Sequence, residues 1–70
     1  MPIALAPIYQ QMRVVRLACD QKDASRLAAL GLTKDAEVTV LSSEHGAVVV
    51  LVMGSRLALD HNIASKIFVA

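Results

Sequence analysis

Apolar and polar side chains alternate along several short stretches of this chain, a pattern typical of half-buried β-strands. The pattern predicts five strands, over residues 12–19, 36–44, 47–53, 56–59 and 67–69. The alternation places Val15, Leu17 and Cys19 on one face of the first strand. In the second strand it places Val38, Val40 and Ser42 on one face. Tight turns are predicted at His45-Gly46 and Gly54-Ser55, because glycine accepts a positive φ, and short turns favour antiparallel pairing.

A short helix is predicted between the first two strands, over residues 24–30. The preceding polar break offers Asp20 and Asp23 as N-cap residues. Helical spacing indicates that Ala24, Leu27 and Ala28 face the core. We expect Gly31 to end the helix in a left-handed conformation, with Leu32 making the hydrophobic contact of a Schellman motif. A second helical turn is predicted over residues 60–66, capped by Asp60.

The first eight residues carry Pro2 and Pro7, which suits a sheet edge or a loosely paired arm. We expect this arm to be open and to favour self-association. Five short strands in so short a chain close most economically into a barrel, which removes exposed edges. The predicted fold is mainly β, a small SH3-like antiparallel barrel of about five strands. It has one short α-helix after the first strand and a helical turn before the last strand.

Composition narrows the function. With 70 residues the chain predicts a single domain, 1–70, and the Met at position 1 suggests a complete short protein. Its formal net charge of +1 and its lack of aromatic residues beyond Tyr9 and Phe68 argue against nucleic-acid binding. No apolar run approaches the roughly 20 residues of a membrane span, so we expect a cytoplasmic protein without direct membrane insertion.

Catalytic and metal-binding motifs are missing from the sequence. The serines lie in no Gly-x-Ser-x-Gly elbow, and the isolated glycines form no phosphate-binding loop, so we predict no enzyme and no cofactor. Potential metal ligands do not follow zinc-site spacing; they are Cys19, Glu44, His45, Asp60 and His61. Asp60 is explained more simply as an N-cap and Cys19 as a small buried side chain. A small metal-binding protein remains a third candidate behind the two functions below.

The third strand is apolar on both faces, although a small barrel has only one inside. Val48, Val50 and Val52 form one face, and Ala47, Val49, Leu51 and Met53 form the other. Either the arm or the helix covers the second face, or that face is an exposed apolar patch of the kind that marks a protein interface.

Two stretches of the chain resemble the FeoA family. Residues 26–32 followed by 36–41 resemble its helix-to-strand signature, and residues 54–59 followed by Ala64 and 67–69 resemble its C-terminal signature. With the first strand, the resemblance covers nearly the whole chain. The turn after the helix departs from the family, since Lys34-Asp35 stands where Pro-Gly is common.

The resemblance implies an SH3-like barrel and an accessory role in bacterial ferrous iron uptake. It implies as partner FeoB, a permease with a cytosolic GTP-binding domain, contacted on its cytoplasmic side. The same barrel occurs at the C-terminus of DtxR-type metal-dependent repressors, so a regulatory interaction domain is the alternative.

Arginines and large apolar side chains are good interface anchors, so the candidate contact residues are Arg26, Leu30, Leu32 and Arg56. The alternative interpretation is that Arg26 is solvated and that the leucine is part of the core. Arg56 is either a solvent-facing strand residue or a contact to a partner carboxylate.

Overall fold

The computed structural model describes residues 1–70 as five strands and two helices in one sheet-based domain. The strands are β1 (Gln11–Leu17), β2 (Glu37–Glu44), β3 (Ala47–Val52), β4 (Ser55–Leu59) and β5 (Ile67–Val69). The helices are α1 (Gln21–Ala29) and α2 (His61–Ala64), and a 3₁₀ turn spans Ile3–Leu5. The sheet order is β4-β3-β2-β1-β5, with every neighbouring pair antiparallel. The predicted fold class is confirmed.

Fifteen buried residues form one core, and all of them are apolar. In β2 and β3 the predicted alternation holds, since both strands point valines inwards; these are Val38, Val40, Val48, Val50 and Val52. The prediction that Ser42 shares the face of Val40 is wrong. The pairing register shifts between these two residues, and Ser42 is exposed.

A second register shift explains an error in β1. The pairing with β5 is interrupted between Val14 and Arg16. Met12 and Val14 point into the core before this irregularity, and Leu17 is half-buried after it. Val15 is therefore 39% exposed and does not share an inward face with Leu17, contrary to the prediction.

Both hairpins turn at residues with positive φ. At His45-Gly46 the φ angles are 53° and 83°, typical of a type I′ turn, and this predicted turn is confirmed. The second turn lies at Met53-Gly54, with φ angles of 51° and 77°, rather than at the predicted Gly54-Ser55. Ser55 instead pairs with Val52 as the first residue of β4.

The ends of α1 follow its capping residues. The Asp20 carboxylate accepts from the Asp23 N–H at 2.8 Å, so the helix begins at Gln21, earlier than predicted. Gly31 has φ 92°, and the Leu32 N–H donates to the Leu27 carbonyl at 2.9 Å, which is the Schellman bond. Leu27 and Leu32 are both core residues.

The inward face of α1 is narrower than its spacing predicts. Leu27 is its buried residue and Ala24 is half-buried. Ala28 is exposed, contrary to the prediction, because only one edge of this short helix rests on the barrel.

The N-terminal segment is not an open arm. Ile3 is fully buried and Ala6 nearly so. The Met1 carbonyl accepts from the Val69 N–H at 2.7 Å, and the Met1 ammonium donates to the Val69 carbonyl at 2.8 Å. Pro2 forms a bridge with Phe68, so the segment covers the edge of β5.

No helix combines the length and the apolar character that crossing a membrane requires.

Candidate functional interface

A groove of about 160 Å³ lies between α1 and the outer strand β4. Most of its lining is apolar, with charged side chains among the rest. The lining residues are Asp23, Arg26, Leu27, Leu30, Leu57, Ala58, Leu59, Asp60 and Ile63. The groove exists because α1 is amphipathic and short, so it rests on the barrel only through its inward edge.

Two of the sequence-predicted contact residues meet in this groove. Arg26 is an exposed residue of α1, and Leu30, the C-cap of α1, is 49% exposed. Leu32 is fully buried in the core, so its prediction as a contact residue is wrong. The Schellman bond turns Leu32 inwards and leaves Leu30 outside.

Arg56 does not line the groove. It is exposed on β4, opposite Leu51 of β3, and no acidic side chain of the chain forms an ion pair with it. The structure therefore separates Arg56 from the pair formed by Arg26 and Leu30.

Sequence reasoning missed Leu57 and Ile63 as lining residues. Leu57 and Leu59 alternate with polar or small residues in β4, which indicates one apolar face. That signal identifies an inward face, and only the position of α1 shows that part of this face borders an open groove.

The second face of β3 is partly exposed. Leu51 is 37% exposed and Met53 is 84% exposed, whereas Val49 is half-buried. A Cβ added to Gly31 would lie 2.5 Å from the Met53 sulfur, so Met53 reaches over the end of α1. The N-terminal segment fills the end of the barrel and pairs with β5 and β2, and it leaves Leu51 and Met53 exposed.

The candidate metal ligands do not converge. Glu44 and His45 lie on the exposed hairpin tip, with 3.9 Å between the Glu44 Oε1 and the His45 Nδ1. The His61 ring lies against Gly46. The Asp60 carboxylate caps α2 by accepting from the Ile63 N–H at 2.8 Å, as predicted. No three His, Cys, Asp or Glu side chains are grouped so that they could hold a metal ion.

Cys19 is half-buried and packs against the core, so its interpretation as a small buried side chain is confirmed only in part. Burial, together with the nearby Asp23 carboxylate, raises the pKa of the Cys19 thiol. This shift leaves less of the thiolate, the nucleophilic form, than an unperturbed cysteine would have.

Several solved structures share this fold. A crystal structure of the iron uptake regulatory protein FeoA matches 99% of this chain and 93% of its own, with 24% identity and a TM-score of 0.86. FeoA from Chlorobium tepidum matches 99% of this chain and 68% of its own, with 25% identity and a TM-score of 0.83.

A longer protein contains the same fold. T. acidophilum IdeR matches all of this chain with 33% of its own length, at 25% identity and a TM-score of 0.85. This likeness agrees with an SH3-like barrel of the repressor type. No curated protein matches the chain by sequence. The family model described as the FeoA domain, however, matches residues 1–70, and the chain therefore belongs to the FeoA family.

Proposed function

We propose that this protein is a non-enzymatic, cytoplasmic accessory protein of ferrous iron uptake that contacts the cytoplasmic, GTP-binding part of a FeoB-type permease. Membership of the FeoA family supports the role in iron transport. A similar solved structure is named iron(II) transport protein A, with 17% identity and a TM-score of 0.85.

The groove between α1 and β4 is the proposed contact surface, and its form carries the proposal. At about 160 Å³ it is smaller than the 300–1,000 Å³ that typical small-molecule sites occupy. Leu27, Leu57 and Ile63 provide an apolar floor, and Arg26 and Leu30 stand exposed beside it. This combination suits insertion of an apolar side chain from a protein partner, with Arg26 pairing to a partner carboxylate.

The accessory protein acts by binding alone. Its glycines lie in turns and form no phosphate-binding loop, so the nucleotide is bound by the permease. A bound protein shifts a conformational equilibrium only when it binds one state more tightly than another. The proposed effect on assembly or on the nucleotide cycle therefore requires an affinity that differs between the GDP and GTP states.

The test is a binding titration with the purified cytosolic part of the permease, without nucleotide, with GDP and with a GTP analogue. Arg26→Glu and Leu30→Ala should each weaken binding by about tenfold, as loss of an interface anchor does. Lys22→Glu on the same helix and the exposed Leu5→Ala are matched controls that should bind like the wild type. Absence of binding in every nucleotide state, or equal loss in the controls, contradicts the proposal.

The alternative is a regulatory interaction domain, and the observation in its favour is the match to one third of T. acidophilum IdeR. Capture from the host's lysate with solubilised membranes separates the two functions. Recovery of a DNA-binding protein in place of a permease favours the regulatory role.

A further inference from the structure

The two outer strands of the sheet, β4 and β5, differ in whether another segment of the chain pairs with their outer edge. The edge of β5 is covered by Met1 and Pro2. β4 pairs only with β3, and its register with β3 is uninterrupted. The edge of β4 has no covering strand, proline, lysine or bulge; its protection is limited to its short length, the charged Arg56 and the groove that separates it from α1.

The unpaired backbone groups of this edge can be assigned to residues. The turn at Met53-Gly54 makes Val52 and Ser55 a hydrogen-bonded pair, so the backbone groups of Arg56 and Ala58 point away from β3. The structure gives these N–H and carbonyl groups no partner. The Asp60 N–H is also unpaired, while its carbonyl accepts from the Ala64 N–H at 2.8 Å.

The sequence of this edge is self-complementary. It reads Arg56-Leu57-Ala58-Leu59-Asp60, with the same apolar residues on either side of Ala58 and opposite charges at the two ends. In an antiparallel pair centred on Ala58, each leucine meets a leucine and each Arg56 meets an Asp60. The exposed Ala58 at the centre is small enough for two backbones to approach.

We propose that the open edge of β4 binds a second copy of this chain, antiparallel about a two-fold axis at Ala58, with Arg56 of each copy facing Asp60 of the other. The two Ala58 residues exchange N–H···O bonds. Each Asp60 N–H donates to the Arg56 carbonyl of the second copy, so in this register every outward backbone group except the Arg56 N–H gains a partner.

Asp60 retains its capping role in the dimer. One carboxylate oxygen, Oδ1, accepts from the Ile63 N–H, which leaves the other oxygen for the Arg56 guanidinium of the second copy. Any other antiparallel register separates Arg56 of one copy from Asp60 of the other, and a register centred on Arg56 places two arginines opposite each other. The charge pattern thus selects a single register and a second copy over an unrelated strand. Because the strand is short, we expect a weak, concentration-dependent dimer.

Sedimentation velocity of the purified protein over increasing concentration tests the proposal, with Ala58 as the decisive position. The wild type should dimerise reversibly. Ala58→Lys and Ala58→Glu should each be monomeric, because like charges meet at the axis, and an equimolar mixture of the two should form a heterodimer. Far-ultraviolet circular dichroism checks that each exposed substitution leaves the fold intact.

The charged ends provide a second, independent measurement. Arg56→Glu should weaken dimerisation by at least about tenfold, because two ion pairs become two repulsions. Lys34→Glu changes the charge equally at an exposed turn and should leave the dimer unchanged. Asp60→Asn keeps a good N-cap residue but removes the charge, and should weaken the dimer less than Arg56→Glu.

The proposal is overturned if the wild type stays monomeric at about 1 mM, a concentration at which contacts of millimolar affinity become populated. It is also overturned if the Ala58→Lys variant still dimerises, or if the mixture of the Ala58→Lys and Ala58→Glu variants forms no heterodimer. Because no permease is present in these experiments, their failure is separate from failure of the proposed function.

Discussion

Single residues determine several turns of this protein, and Asp35 has the largest φ among the non-glycine residues with positive φ. It has φ 72°, a region that glycine occupies freely and other residues enter at a cost. The turn is closed by the Ala36 N–H, which donates to the Thr33 carbonyl at 3.1 Å. The Asp35 N–H donates to the Val14 carbonyl at 2.7 Å, which ties the turn to β1. The conformation is therefore imposed by the sheet, and Asp35 adopts it under strain.

Asp35→Gly is expected to stabilise the fold by about 0.5–1 kcal/mol, because it relieves a left-handed conformation. For a domain of this size, 1 kcal/mol raises the melting temperature by about 4–8 °C. Thermal unfolding followed by circular dichroism measures the change. Lys34→Gly in the same turn is the matched control: its φ is not positive, so added chain entropy should lower stability. A melting temperature that falls in both variants refutes the strain argument.

At the scale of elements, α1 depends on its ends and on two leucines. With nine residues it is too short to persist in isolation. The Asp20 carboxylate accepts a backbone N–H of the first turn, and Gly31 ends the helix. Leu27 and Leu32 pack the helix against the core. The same arrangement leaves Leu30 exposed beside the groove, so the helix end determines the proposed contact surface.

Gly31→Ala is expected to lower the free energy of unfolding by about 1–2 kcal/mol, since alanine at φ 92° is strained. A further, smaller loss comes from the new Cβ, which would lie 2.5 Å from the Met53 sulfur. Met53→Ala in the same background should recover only this steric part, because the flexible methionine can move aside. Urea unfolding of both single variants and the double variant separates the two contributions. Full recovery in the double variant would show that φ is not the main cost.

The whole molecule is closed by its N-terminal segment. Ile3 is fully buried although it lies outside the sheet, and Ser43 of β2 donates to the Ala4 carbonyl at 3.0 Å. The segment thus fills one end of the barrel and covers the edge of β5, while β4 stays open. This asymmetry restricts edge-to-edge association to one side of the molecule.

Ile3→Ala is expected to cost about 2–5 kcal/mol, because it leaves a cavity in a fully packed core. Small domains have only about 0.05–0.15 kcal/mol of stability per residue, so this variant should be largely unfolded or close to it. Leu5→Ala in the same 3₁₀ turn removes a side chain that is 73% exposed and should melt like the wild type. Chemical denaturation of the two variants checks the contrast, and equal stability would mean that the segment does not contribute to the core.

Local signals in the sequence were sufficient for much of this fold. The order of strands and helices, the caps at Asp20 and Asp60, the helix end at Gly31 and the turn at His45-Gly46 were all predictable. Each depends on residues only a few positions apart, so the chain itself carries the information.

Other features required the tertiary structure. The bulges in β1 and β2, the burial of Ile3 and the groove beside Arg26 and Leu30 involve contacts between distant parts of the chain. The alternation of apolar and polar residues predicts a strand but does not locate a bulge within it, because the position of the extra residue depends on the pairing with the partner strand. The sequence by itself therefore determined the elements and the FeoA-like pattern. The tertiary structure decided which apolar residues became core and which stayed exposed, since burial depends on what packs opposite.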